Sequence, residues 1–199
     1  KVGDFDLTVD PKTGTGYLYV ELDHKDVLVY KLTDDYMDVT TESTVIYTGL
    51  NPPFAREGIT YFNHDGKHYI LTSGMIGYVP NPSEVAVSDE YMGPFTVLGN
   101  PHVDDDSSAS FNSQASCAFK IEGTDQIVVM ADRWVPDYVM TKERYNSFVR
   151  AIGSRYDKNL KASFRDMVTM LTSPMMGSAD TSVANYVWLR VEWEENKPV

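Results

Sequence analysis

The sequence predicts an all-β fold, and two observations carry that prediction. Through residues 1–140, short stretches rich in Val, Ile, Tyr and Thr are cut by Gly, Asn, Asp or Pro about every ten residues, the pattern of a sandwich, barrel or propeller. A hairpin-centred unit also recurs. Tyr17 and Tyr69 hold the same place in it 52 positions apart, and Val129 follows 60 further on, the length of a four-stranded propeller blade. A propeller ring needs at least four blades, and this β region supplies about three. Either the remaining blades lie upstream of Lys1 or come from another chain, or the sheets form an open stack with exposed edges, which natural proteins avoid.

The elements follow in order. Phe5-Asp6-Leu7-Thr8-Val9-Asp10 alternates as a strand, Pro11-Lys12-Thr13-Gly14 suits a tight turn, and Tyr17-Leu18-Tyr19-Val20 returns. The unit repeats as Ile59-Thr60-Tyr61-Phe62, turn Asn63-His64-Asp65-Gly66 and strand His68-Tyr69-Ile70-Leu71-Thr72. A third copy runs Ala118-Phe119-Lys120-Ile121, turn Glu122-Gly123-Thr124-Asp125 and Ile127-Val128-Val129-Met130. Residues 141–172 change period. Tyr145, Phe148, Val149 and Ile152 stand at i, i+3, i+4 and i+7, and Leu160, Phe164, Met167 or Val168, and Leu171 repeat a similar spacing. Two amphipathic helices are expected, capped by Thr141 and Asp157, separated at Gly153 and stopped by Ser173-Pro174. They form a helical insertion at 141–176 that packs on the sheets. Strand pattern resumes at Tyr186-Val187-Trp188-Leu189-Arg190-Val191, so residues 1–199 read as a single β domain, apparently incomplete at its N-terminus, with one insertion.

Seventeen basic and 29 acidic side chains give a net charge of -12. That balance speaks against binding a phosphate backbone, which draws on clustered Lys and Arg, so no nucleic-acid partner is expected. No apolar run reaches the ~20 residues of a membrane-spanning helix, and no signal-peptide pattern is present. The chain opens at Lys1 without a methionine, as a processed or excised piece would. Cys117 is the only cysteine, sits in a strand pattern and is expected as a buried structural thiol.

The phosphate-loop, dinucleotide, HExxH, CxxC and GxSxG signatures are absent, which removes nucleotide and thiol chemistry. His64 and His68 straddle a turn rather than share a helical face, so a zinc pair is not expected. Asp104-Asp105-Asp106-Ser107 lacks the sixth-position glycine and twelfth-position glutamate of a calcium loop and reads as a solvated acidic loop.

The informative residues stand at strand ends: Asp4, Val9-Asp10, Arg56-Glu57, Gly66-Lys67-His68-Tyr69, Thr72-Ser73, Gly77-Tyr78, Gly93-Pro94-Phe95, Ser113-Gln114, Asp132-Arg133-Trp134 and Tyr186-Val187-Trp188-Leu189. Their collinear order from residue 4 to 190 resembles glycoside hydrolase family 43, in particular the arabinogalactan-acting branches of exo-β-1,3-galactanases and arabinofuranosidases. The insertion before Asn185 also resembles gut-bacterial members. Three positions depart from the family pattern: Gly58-Ile59 replaces Ala-Pro or Gly-Pro, Tyr78 replaces Trp, and Arg190 replaces Pro.

The resemblance implies a five-bladed β-propeller with its active site in the central funnel, of which this chain is the C-terminal portion. It also implies an extracellular or periplasmic bacterial enzyme that removes terminal galactose or arabinofuranose, with inversion, from plant arabinogalactan-type polysaccharide. Inversion needs one protonated carboxyl at the leaving oxygen and a base that activates water from the opposite face. Glu57 takes the acid's place, and Asp4 matches the carboxylate that tunes the acid and holds a sugar hydroxyl. The usual base is an aspartate of the first blade, which this chain does not contain; in the galactanase-like branch the position of Gln114 orients or activates the water.

Tyr78 and Trp134 are the expected aromatic platform, with Ser73, Gly77, Asn81 and Arg133 at its polar rim unless Asp132-Arg133 is a structural ion pair. Trp188 and Trp193 are expected in core or rim packing. No cofactor is expected; a structural metal sometimes occupies the propeller axis in this family, and His102 is its nearest candidate here, matching no motif. The alternatives are a catalytically dead carbohydrate-binding propeller and a repeat-built interaction domain.

Overall fold

A computed structural model describes residues 1–175 and 179–199. Three antiparallel sheets follow one another along the chain. The first holds β1 (Val2–Val9), β2 (Gly16–Leu22), β3 (Asp26–Leu32) and β4 (Val39–Tyr47) in sequential order. The second holds β5 (Arg56–His64), β6 (Lys67–Gly74), β7 (Glu84–Ser88) and β8 (Thr96–Gly99) in the same up-and-down order. In the third, β10 (Ile127–Arg133) pairs with β9 (Gln114–Lys120) on one side and with β11 (Asn185–Arg190) on the other. A short hairpin, β12 (Trp193–Glu194) with β13 (Lys197–Pro198), ends the chain.

All three expected hairpins form, and the first shows why. Gly14 N–H donates to the Asp10 carbonyl (2.8 Å), while the Asp10 carboxylate accepts from Lys12 N–H (2.9 Å) and the Thr13 hydroxyl (2.8 Å), closing the turn. The register that follows sets Thr8 opposite Tyr17 and Phe5 opposite Val20.

The sheets stack face to face. Tyr19, Val27, Val29 and Tyr47 of the first sheet pack on Ile59, Tyr61, Ile70 and Ala86 of the second. The second sheet's other face sets Phe62, Tyr69, Leu71 and Val85 against Ala115, Ile127 and Val129 of the third and against Val191. Successive side chains of a strand point to opposite faces, so Tyr61 enters one core and Phe62 the other. A sheet covered on both sides needs apolar residues at consecutive positions, which accounts for the unbroken burial of β6 from His68 to Gly74. Trp193 of the terminal hairpin closes the second core against Phe62 and Tyr69 and stacks on His64 at 3.9 Å. His68 bonds the Tyr61 hydroxyl instead (2.8 Å), so the two histidines do not converge.

The insertion forms α1 (Lys142–Gly153) and α2 (Phe164–Leu171), and Phe148, Ala151 and Met170 pack on Ile76 and Val79 of the β6–β7 loop. Thr141 caps α1 as expected, its side chain accepting from Arg144 N–H. For α2 the expectation fails. Its cap is Ser163, in a capping box with Asp166, while Asp157 closes a separate turn onto Asn159. The expected apolar face also fails: Phe164 is 87% exposed and Leu171 73%. Arg150 of α1 grips the buried Asp166 through two hydrogen bonds (3.0 and 2.6 Å), which turns Asp166 and Met170 inward and Phe164 and Leu171 out. The expected end of the insertion, residue 176, lies outside the described residues. Among the described residues no helix is long and apolar enough to cross a membrane.

Candidate functional site

The face-to-face stacking brings the first strand of each sheet together, β1 beside β5 and β5 beside β9. Asp4, Glu57 and Gln114 stand third, second and first in those strands. All three therefore lie at the same end of adjoining strands. Beside Asp4 and Gln114 opens a cavity of about 330 Å³, lined also by Gly58, Ser116, Asp132 and Trp134; Glu57 adjoins it through Gly58 but does not itself line it. Asp132 was legible only as part of a motif, with no role assigned; burial raises its carboxyl above the ordinary range, against a hydrogen bond from Ser116.

Glu57 is half-buried, and its carboxyl is pushed up to about 8. Burial is the largest cause; the negative charges of Asp4 and Glu21 add to it, and Arg56 and a hydrogen bond with Gln114 oppose it. Arg56 does not neutralise its neighbour, because its guanidinium is buried and spent on Thr72, with Nε to Oγ1 at 2.9 Å and Nη2 to the carbonyl at 2.9 Å. Gly58 N–H donates to Asp4 Oδ2 at 2.8 Å and ties β1 to β5 beside the acid. Only glycine suits position 58. Its φ is +61°, and a Cβ there would lie 2.9 Å from Ser73 Oγ and 3.0 Å from Gln114.

Gln114 is wired on both sides. Trp134 Nε1–H donates to its Oε1 (3.3 Å), its Nε2–H donates to Ser73 Oγ (2.7 Å), and Ser73 Oγ donates to the Glu57 carbonyl (3.3 Å). Ser73 is buried and engaged here, so its place is behind the site rather than at a rim. The strand start at Gln114 is set by Ser110, Phe111 and Asn112, three successive residues of left-handed φ (53°, 55°, 64°). Arg133 Nη2 holds that turn by donating to the Phe111 carbonyl at 2.8 Å. No Asp132–Arg133 ion pair forms, and Arg133 is tied to the turn through Nη2.

Tyr78 and Trp134 meet edge to face at 5.5 Å, with Tyr78 partly exposed, and Gly77 stands exposed beside them. The Asn81 Oδ1 accepts from Gly74 N–H (2.6 Å) and its Nδ2 donates to the carbonyls of Gly74 and Val79 (3.0 Å each), so its buried amide shapes the loop that carries Tyr78, in a small pocket that Gly77, Tyr78, Gln114 and Trp134 also line. Of the two tryptophans expected in core or rim packing, Trp188 is 61% exposed and meets Phe119 edge to face on the third sheet's outer face, while Trp193 packs in the core. Cys117 is half-buried rather than buried, and burial raises its thiol.

His102 lines an apolar pocket between the second and third sheets with Phe62, Leu71 and Val129, and burial pushes it down to about 4. Asp105 spends its carboxylate on Ser107 and on Ala109 N–H. No cluster of three or more His, Cys, Asp or Glu suited to a metal ion occurs among the described residues.

Glu21 carried no motif, and sequence reasoning passed it over. It is 2% exposed on β2 near Glu57. The available signal was an acidic residue inside the apolar strand Tyr19-Val20-Glu21-Leu22.

No protein-family model and no curated protein matches the chain. Solved structures do. A glycoside hydrolase family 43 β-1,3-galactosidase superposes with a TM-score of 0.70 at 25% identity, over 98% of this chain and 32% of that one. A second, solved with galactodeoxynojirimycin, gives 0.68 at 23% identity, over 98% and 44%. An exo-β-1,3-galactanase from Clostridium thermocellum gives 0.62 at 20% identity, over 98% and 32%. The chain thus spans less than half the length of these proteins. The motif resemblance to glycoside hydrolase family 43 holds in the backbone as well: over nearly its whole length the chain shares the fold of these family 43 structures.

Proposed function

We propose that this chain is the acid-bearing part of an inverting, exo-acting glycoside hydrolase that releases terminal galactose from β-1,3-linked galactan of the arabinogalactan type. The observation that carries the reading is Glu57, a carboxyl kept protonated near neutral pH by burial and flanking carboxylates, where the first strands of the three sheets adjoin. In the reaction Glu57 gives its proton to the glycosidic oxygen as the bond to the anomeric carbon breaks. Asp4 Oδ2 is occupied by Gly58, leaving Oδ1 for a sugar hydroxyl. Tyr78 and Trp134 receive the apolar face of a ring, with Gly77 beside them, as sugar recognition pairs an aromatic platform with a few oriented polar groups.

Gln114 orients the attacking water. Trp134 donating to its oxygen and Ser73 accepting from its nitrogen both favour the ordinary amide, and a neutral amide holds a water better than it deprotonates one. The strong base therefore belongs to a further blade. We place this chain within a secreted or periplasmic five-bladed propeller, as one domain with the helical pair inserted, and assign it no cofactor. Arabinofuranose is the alternative terminal sugar.

The test is product release by the full-length protein on β-1,3-galactan and on an aryl α-L-arabinofuranoside, beside Glu57→Gln. Galactose release that falls at least about 10²-fold in the variant supports the reading, in line with loss of a general acid. Arabinose release lost in the same way transfers it to the other sugar. Sugar binding without turnover in both proteins replaces it with a binding propeller, a reading favoured only by the neutral amide at Gln114.

A further inference from the structure

Glu21 is a buried carboxylate that the proposed mechanism does not use. Its Oε1 accepts the backbone N–H of His24, and its Oε2 lies 3.5 Å from His24 Nδ1. On the other side it presses on β1. A Cβ built at Gly3 would fall 1.6 Å from Glu21 Oε2, so the carboxylate occupies the space a side chain at position 3 would need. The β1–β2 ladder is irregular at this point, slipping between Val2 opposite Leu22 and Phe5 opposite Val20. Such bulges re-aim side chains beside functional sites. The re-aimed residue is Asp4, whose carboxylate reaches Gly58 N–H across the sheet junction.

We infer that Glu21 is a positioning residue: its carboxylate seats the β1 bulge at Gly3, aims Asp4 at Gly58, and keeps a second negative charge beside the acid Glu57. The inference rests on the glycosidase reading above and adds a residue to it. The groups that act on Glu57 are Asp4 on β1, Glu21 on β2, Arg56 on its own strand and Gln114 on β9, with Asp132 of β10 on the cavity that Asp4 and Gln114 line. Of these, Glu21 is the one buried anion with a glycine opposite it.

The sign follows. Loss of the Glu21 charge makes ionisation of Glu57 easier, so the pH at which the general acid is lost moves down. In the full-length protein, Glu21→Gln is expected to stay folded by circular dichroism, to change KM less than about threefold, and to shift the alkaline limb of the kcat–pH profile down by about one pH unit. Gly3→Ala, which keeps the charge but displaces the carboxylate, is expected to lower kcat about tenfold or more by disturbing Asp4. An alkaline limb that stays in place in Glu21→Gln with kcat retained overturns the inference. Should Glu21→Gln fail to fold, Gly3→Ala decides, and wild-type kcat in that variant overturns it equally. Glu57→Gln in the same assay separates the two readings: if it retains turnover, the glycosidase reading falls, whereas a dead Glu57→Gln beside an unaltered Glu21→Gln sinks the positioning role alone.

Discussion

At the scale of single residues, the site is a problem of burying negative charge. Glu57 folds with its carboxyl at about 8, against an ordinary 4.5. The folded state therefore holds a proton that the unfolded chain gives up, and Glu57's contribution is fully present below the ordinary range and lost as pH rises through about 8. Replacing Glu57 by the neutral isostere Gln removes that loss. Glu57→Gln is expected to be as stable as the wild type at pH 4 and more stable by roughly 3–5 kcal/mol at pH 8, read from urea unfolding at both values. Equal stability at pH 8 would mean that the carboxyl ionises without penalty. The motif residues Asp4, Glu57, Gln114, Tyr78 and Trp134 were legible in the sequence through their collinear match to the family 43 pattern, not through any local signal of their own. Ser73, Asn81 and Arg133 were legible only as polar residues near them. Whether such a group meets a ligand or the backbone depends on what lies opposite, and the opposite partners Glu57, Gly74 and Phe111 come from other strands and loops.

At the scale of elements, strands were easier to read than helices. Each hairpin announces itself locally, through alternation and a Pro, Gly or Asp turn, and β1–β2, β5–β6 and β9–β10 fall where those signals place them. The orientation of α2 was not local. Its periodicity favours burying Phe164 and Leu171, yet the Asp166 carboxylate, buried by its bonds to Arg150 and Ser163, turns the helix over. Those bonds hold Asp166 well below the ordinary carboxylate range, with Arg150 the largest cause. A depressed folded value contributes stability above the ordinary Asp range that is lost as pH falls below it. Asp166→Ala removes a capping box and a two-pronged Arg contact together and is expected to cost about 2 kcal/mol or more at pH 7. Amide exchange should rise first in residues 142–171, and the difference from wild type should shrink below pH 4. Uniform loss of protection through all three sheets would show instead that the helices and sheets unfold as one.

At the scale of the whole molecule, the two end sheets are unequal on their two faces. The outer face of the first sheet presents Phe5, Leu7 and Val9 along β1, each about half exposed or more, and the third sheet presents Phe119, Tyr186 and Trp188. Exposed apolar areas of this kind mark surfaces that another element covers. The second sheet, covered on both sides, shows what a completed layer looks like. A ring closed by further blades would cover both faces at once, and the family 43 structures that share this fold are two to three times longer than this chain. On the reading proposed above, further blades would also complete the site, since Asp4, Glu57 and Gln114 would supply an acid, its neighbour and an orienting amide but no strong base. Residues 1–199 expressed alone are therefore expected to bind an apolar dye such as ANS, to self-associate with rising concentration, and to release no sugar, while the full-length protein is dye-silent and active. Sedimentation and dye fluorescence on the two proteins check this directly. A monomeric, dye-silent and fully active 199-residue chain would show that the outer faces need no partner and that the base lies within these strands, making Asp132 the first carboxylate to replace.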